Sequence, residues 1–278
     1  MDQIKIVADS SADMLSLGEL PFASVPLKIM TTGREYVDDA DLDVPGMVED
    51  LLVSKEKSST ACPGVGDWLD AFGDAKYIFC ITITSTLSGS YNSANSAKQA
   101  YEEQHPDRRV CLIDSLSTGP EMKLLVEKIC AEHEKGRPFE EICRTVEVYQ
   151  KHTGLMFMLE SLRNLANNGR VSRLAASAAG ILGIRVIGKA SDRGDLQQLA
   201  KCRGEKKALP AFLRFMKEEG YCGGLVRISH CLNEAAAQAF SALLKLEFPR
   251  AQVEIYPARG LCSFYAEKGG MLVGFEKA

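Results

Sequence analysis

Tyr77-Ile78-Phe79-Cys80-Ile81-Thr82-Ile83-Thr84-Ser85-Thr86-Leu87-Ser88-Gly89-Ser90-Tyr91-Asn92-Ser93-Ala94 begins as an unbroken apolar run and ends in hydroxyls. Such a run is the pattern of a strand covered on both faces, as in a parallel sheet. The residues that follow predict a helix over 91–103. In open α/β sheets ligands bind beyond the carboxyl ends of the strands, and the loop 84–90 stands at such an end. Ser88 or Ser90 falls near the start of the helix, where free N–H groups and the helix dipole favour an anion. Gly89 lets the backbone approach closely. Plain helix capping by serine accounts for the same residues.

Outward from this stretch the first half alternates. A short strand over 4–8 ends at Asp9, helices are predicted at 45–52 and 66–72, and a second buried strand at 110–113 ends at Asp114. Two long helices, 121–135 and 139–150, are separated by Gly136-Arg137-Pro138. Strand and helix alternating at this spacing predict a parallel sheet with crossover helices. A second half opens near Thr153-Gly154. It carries candidate strands at 155–159, 185–187, 225–229, 252–256 and 271–275, with helices at 160–166, 171–182, 206–218 and 233–247. The expected architecture is α/β in two domains: 1–152, an N-terminal parallel-sheet domain, and 153–278, a C-terminal α/β domain.

The chain has 278 residues, 46% hydrophobic and 25% charged, with a formal net charge of −4. A real core is affordable at this composition, and no basic stripe points to nucleic acid. The start lacks the basic and apolar regions of a signal peptide, and no apolar run is long enough for a membrane span. There are nine cysteines and no C-x-x-C pair, so buried free thiols in a reducing, cytoplasmic setting are expected. Cysteine and histidine spacing suggests no metal site. Asp9 and Asp13 are expected to shape a turn rather than hold a cation.

Hydroxyls recur at other loops. Ser58-Ser59-Thr60 precedes Ala61-Cys62-Pro63 and a helix, Asp9-Ser10-Ser11-Ala12-Asp13 follows the first strand, and Asp114-Ser115 follows another. Loops 58–60 and 84–90 together suggest a small acidic ligand. With Leu87-Ser88-Gly89-Ser90-Tyr91 and Asn168-Gly169-Arg170-Val171-Ser172, in this order and spacing, they give a chain that resembles the DegV family of bacterial fatty-acid-binding proteins over essentially its whole length.

The resemblance implies a two-domain α/β fold with a fatty acid held between the domains. It implies no catalytic site and no cofactor beyond the bound acid. It also implies a partner, a fatty acid kinase that phosphorylates the presented carboxyl group for phospholipid synthesis. By the same resemblance Thr60, with Ser59 beside it, and Ser88 with the Gly89 backbone hold the carboxylate, and Arg170 lies near that end. One segment departs from the family pattern. Where a His-x-Gly-Pro-Gly segment is usual before the last strand, this chain has Tyr265-Ala266-Glu267-Lys268-Gly269. Tyr265 stands in place of the histidine; a phenol donates one hydrogen bond but cannot become a cation.

A fatty-acid site needs a dry channel with a small polar end. At about 0.8 kcal/mol per buried methylene, a chain of about sixteen carbons offers about 12 kcal/mol before ordering costs. The tail therefore supplies affinity and the head direction. Residues 155–159, with Met156 and Met158, and 175–187 are candidate channel walls. Other readings start from the same loops. A serine-dependent lipid or ester hydrolase needs a base, yet the chain has four histidines, of which only His230, at a strand end, is well placed, and a satisfied surface role suits it better. No phosphate-binding glycine loop is present. A binder of another amphipathic carboxylate fits the loops equally.

Overall fold

The computed structural model describes residues 4–54, 57–172 and 183–278. Strands β1 (Ile4–Asp9), β2 (Phe22–Val25), β6 (Tyr77–Thr82) and β7 (Arg109–Asp114) form a parallel sheet in the order β2-β1-β6-β7. The apolar run of β6 is explained by its two faces. Ile78 and Cys80 pack with Trp68, Phe72 and Ala97 on one side, while Phe79 and Ile81 pack with Met122, Ile129 and Ile142 on the other. Alternate residues of a strand face opposite ways, so a strand with a core on each side must be apolar throughout. The helices supplying these cores are α2 (Val65–Phe72), α3 (Ser90–Gln104), α4 (Pro120–Glu134) and α5 (Phe139–Gln150).

A second sheet of six strands has the order β10-β9-β8-β13-β11-β12. Its members are β8 (Thr153–Leu159), β9 (Ile184–Ala190), β10 (Leu196–Arg203), β11 (Leu225–His230), β12 (Gln252–Pro257) and β13 (Met271–Glu276). Only β11 and β12 pair in parallel; the other ladders are antiparallel. One face carries Met156, Met158, Met271 and Val273 against α7 (Glu205–Glu218) and α8 (Glu234–Glu247). The other carries Leu155, Phe157, Leu159 and Leu272. Period-two alternation thus corrects the expected channel wall. The two methionines of β8 belong to the helix-covered core, and only its odd-numbered residues remain for a channel.

A third sheet was not legible. Strands β3 (Lys28–Met30), β4 (Glu35–Val37) and β5 (Ser59–Ala61) pair antiparallel, and Ile29 and Tyr36 join α1 (Val44–Val53) on the Leu155–Phe157 face of the second sheet. The hydroxyl-rich 58–60 is therefore not a free loop: Ser59 and Thr60 are strand residues, with Thr60 opposite Ile29. The helix expected at 160–166 is shorter, α6 (Arg163–Asn167). Glu160 is drawn to Arg185 at 2.6 Å, and the Ser161 hydroxyl accepts from Arg163 N at 3.1 Å, which delays the first turn. Of the helix expected at 171–182, all but its first two residues lie outside the described residues, as does the stretch 175–182 of the second candidate wall.

Helix α4 packs against strands of both large sheets. Gly274 of β13 makes that approach possible, since a Cβ there would lie 2.5 Å from the Pro120 carbonyl carbon and 2.6 Å from Glu121 N.

Candidate functional site

A cavity opens between the sheets. Its walls are mostly apolar, including Leu27, Ile83, Leu155, Phe157, Leu159 and Leu272. Several of these residues also belong to the hydrophobic core cluster on the inner face of the second sheet. The cavity is therefore a hollow within the core. The hairpin joining β9 and β10 reaches across to the first sheet, where Thr86 Oγ1 donates to Arg193 O at 2.6 Å and Gly194 seats against Thr84.

Polar side chains gather at one end. Thr60 Oγ1 and the Tyr265 hydroxyl lie 2.8 Å apart. The Arg170 guanidinium sits 6.0 Å from the Tyr265 ring centre and donates through Nε to Leu87 O at 3.1 Å, one residue from Ser88. Arg170 reaches this position because Gly169, two residues past α6, turns the chain with a φ of 74°, and Arg170 N is bonded back to Leu165 O. Thr60, Ser88, Arg170 and Tyr265 all line the cavity, and Arg170 is the one charged side chain among its described lining residues. Burial pushes the Tyr265 hydroxyl above its ordinary acidity range, so it remains a donor at neutral pH. The Ser88 hydroxyl accepts from Ser90 N at 3.3 Å and keeps its own proton free to donate outward. Ser59 and Gly89 are exposed and are not brought to the wall. Ser59 alternates away from Thr60 along β5; Gly89 caps α3, where a Cβ would crowd the Cys62 sulfur at 3.0 Å.

Three buried carboxyls position this end. Asp9, wholly buried, accepts from Ser90 Oγ at 2.6 Å, from Ile83 N at 2.9 Å and from Ser11 Oγ. It thereby ties the first strand to the loop carrying Ser88. Asp38 accepts from Gly260 N and Leu261 N, each at 2.8 Å, and so caps α9 (Gly260–Ala266), the helix that carries Tyr265. Asp13 accepts from Arg259 N at 2.7 Å, while its second oxygen is buried without a partner.

Burial, reinforced by Asp38 and opposed by the Arg259 N–H, raises Asp13 from an ordinary 3.8 to about 7. The folded state then holds a proton that the unfolded chain has released, so stability is fully present below pH 4 and lost as pH rises through 7. Relative to Asp13→Asn, the wild type should lose up to about 1.4 kcal/mol per pH unit across that window. Urea denaturation at a series of pH values measures it; parallel curves for the two proteins would exclude this titration.

A model of the DegV protein family matches residues 3–278. The chain belongs to the DegV family. A DegV domain-containing protein of Streptococcus pneumoniae is 45% identical over 276 residues, covering 98% of each chain. Among solved structures, a DegV family protein from Eubacterium eligens loaded with heptadecanoic acid superposes with a TM-score of 0.97 at 45% identity, covering 99% of this chain and 100% of that one. The Streptococcus pneumoniae fatty acid kinase B3 protein loaded with linoleic acid also gives 0.97, at 44% identity, with both chains fully covered.

The departures from the DegV pattern have structural partners. Tyr265 bonds Thr60, as described. Glu267, where the pattern has glycine, adopts a φ of 54° and is buried. Its carboxylate accepts from Ser161 Oγ at 2.8 Å and Asn164 N at 3.0 Å, with Arg163 at 3.5 Å, and so anchors the start of α6 and with it Arg170. None of the four histidines lines the cavity. His230, expected at the surface, is 8% exposed, its Nδ1 accepting from Asn233 N. The cysteines are free, but Cys62 and Cys222 are exposed rather than buried. Among the described residues no cluster of three or more His, Cys, Asp or Glu could hold a metal, and no helix is long and apolar enough to cross a membrane. Asp38 and α9 escaped the sequence reading: Asp38-Asp39 resembles any acidic turn, and Gly260-Leu261-Cys262-Ser263 shows no helical period.

Proposed function

We propose that this protein binds a long-chain fatty acid. The carboxylate is held by Thr60, Ser88, Arg170 and Tyr265, and the tail lies among Leu155, Phe157, Leu159 and Leu272. The carrying observation is a cavity whose single charge among the described lining residues is a cation, set among hydroxyls at one end. The fatty acids in the two similar DegV structures agree with it. Ser59 is left out because its side chain is exposed. The protein acts in the cytoplasm as a carrier without chemistry of its own and offers the carboxyl group to a fatty acid kinase, a role supported by its likeness to the fatty acid kinase B3 protein. The chain divides into domains near 152–153, a reading supported by the confinement of the parallel sheet to residues 4–114 and of the six-stranded sheet to 153–276.

Native mass spectrometry of protein purified from cells should show an added mass near that of a fatty acid, lost on denaturation. A protein that is always empty and takes up no fatty acid in vitro would refute the reading. Ser88→Ala should weaken binding of the free acid roughly tenfold and that of its methyl ester far less. Equal losses would place Ser88 away from the carboxylate.

A further inference from the structure

Resting on the fatty-acid reading, we propose that Ser117 recognises an oxygen carried along the acyl chain, so that the cavity takes hydroxylated long-chain acids in preference to plain ones. Ser117 lines the cavity and is 2% exposed, and its Oγ has no hydrogen-bond partner among the described residues. Its backbone cannot readily turn away to find one. Ser117 N donates to Ser115 Oγ at 3.1 Å, and Ser117 O accepts from Thr84 N at 2.9 Å and from Ser115 Oγ at 3.0 Å. The neighbouring hydroxyls of the wall are engaged: Thr84 Oγ1 accepts from Thr86 N, and Thr118 Oγ1 contacts Ser11 O and the Cys262 sulfur. At the polar end Thr60 and Tyr265 bond one another, and Ser88 accepts from Ser90 N. Ser117 is none of the groups that would meet the carboxylate.

The surroundings of Ser117 are suited to a polar atom. Beyond the Leu155–Ala190 wall, which the two spaces share, lies a second pocket lined by Glu121, Thr153 and Lys277, and by none of Thr60, Ser88, Arg170 or Tyr265. Buried Glu121 accepts from Thr153 Oγ1 at 2.7 Å. Burial pushes the Glu121 carboxyl above the usual carboxylate range and the nearby Ser117 hydroxyl opposes that rise, yet Ser117 Oγ completes no hydrogen bond with it. A hydroxyl on an alkyl chain loses its water on entering a dry cavity, and a buried unpaired serine has already lost its own. Pairing them removes both penalties at once, an advantage that a plain chain does not gain.

The test is competition binding with stearic acid and a panel of hydroxystearic acids that differ only in the position of the hydroxyl. One position, or two adjacent ones, should bind roughly three- to tenfold more tightly than stearic acid. Ser117→Ala should abolish that ratio. A flat profile across the panel in the wild type overturns the proposal whether or not the variant folds, as does a preference that survives Ser117→Ala. If stearic acid still binds in either case, the fatty-acid reading stands. If neither stearic acid nor any isomer binds, both readings fall.

Discussion

Asp38→Ala is expected to destabilise the protein by about 3 kcal/mol and to weaken fatty-acid binding with it. Asp38 is wholly buried and accepts the first two free N–H groups of α9, at Gly260 and Leu261. Hydrogen bonds to a charged acceptor contribute about 1.5–3 kcal/mol each, and removing the acceptor leaves two buried donors unpaired. Arg259, 3.8 Å away, loses its counter-charge as well. Because α9 carries Cys262 and Tyr265 into the cavity, its first turn cannot loosen without moving the Tyr265–Thr60 pair. Asp38→Asn retains one acceptor but turns an amide toward the other N–H, so an intermediate loss is expected. Urea denaturation and fatty-acid titration of both variants measure this; a variant that keeps full stability would show that the cap is dispensable.

Gly274→Ala is expected to cost about 3 kcal/mol, through crowding rather than a lost bond. The added methyl would meet main-chain atoms of Pro120 and Glu121 at 2.5–2.7 Å, and main chain at a helix start cannot step aside as a flexible side chain does. Either α4 or β13 must shift. At 2–4 °C per kcal/mol for chains of this order, the melting temperature should fall by roughly 6–12 °C. Thermal unfolding of the variant measures it, and a fall below 2 °C would mean that the interface is looser than its geometry. Since Ser117 and Thr118 are joined to α4 through Gly119 alone and Leu272 lies two residues before Gly274, the same shift should deform the cavity wall.

Legibility in the sequence followed how local each cause was. The run of β6 announced itself because a strand buried on both faces is apolar at every position. The same signal at 155–159 identified a strand but not its faces, and the methionines went to the helix-covered side. Strand β5 was read as a loop because its three residues become a strand only through β3, some thirty positions earlier. The loop carrying Ser88 was legible from its place after a buried strand. Ser90, by contrast, is spent on Asp9, a partner no local pattern reveals. Arg170 and Tyr265 were singled out by family resemblance alone; their meeting across the cavity depends on the local turn at Gly169 and on Glu267 and Asp38, which act through contacts distant in sequence.

The hollow lies inside the hydrophobic core, walled by segments drawn from both large sheets. An acyl chain seated there is, in packing terms, a missing piece of the interior. On the proposed reading its departure leaves the apolar walls without packing partners, so slow release is expected to govern how long a cargo stays aboard. On the same reading delivery is a matter of timing: cargo exchanged spontaneously is renewed slowly, and a recipient that works on the carboxyl end need not wait for the tail to leave.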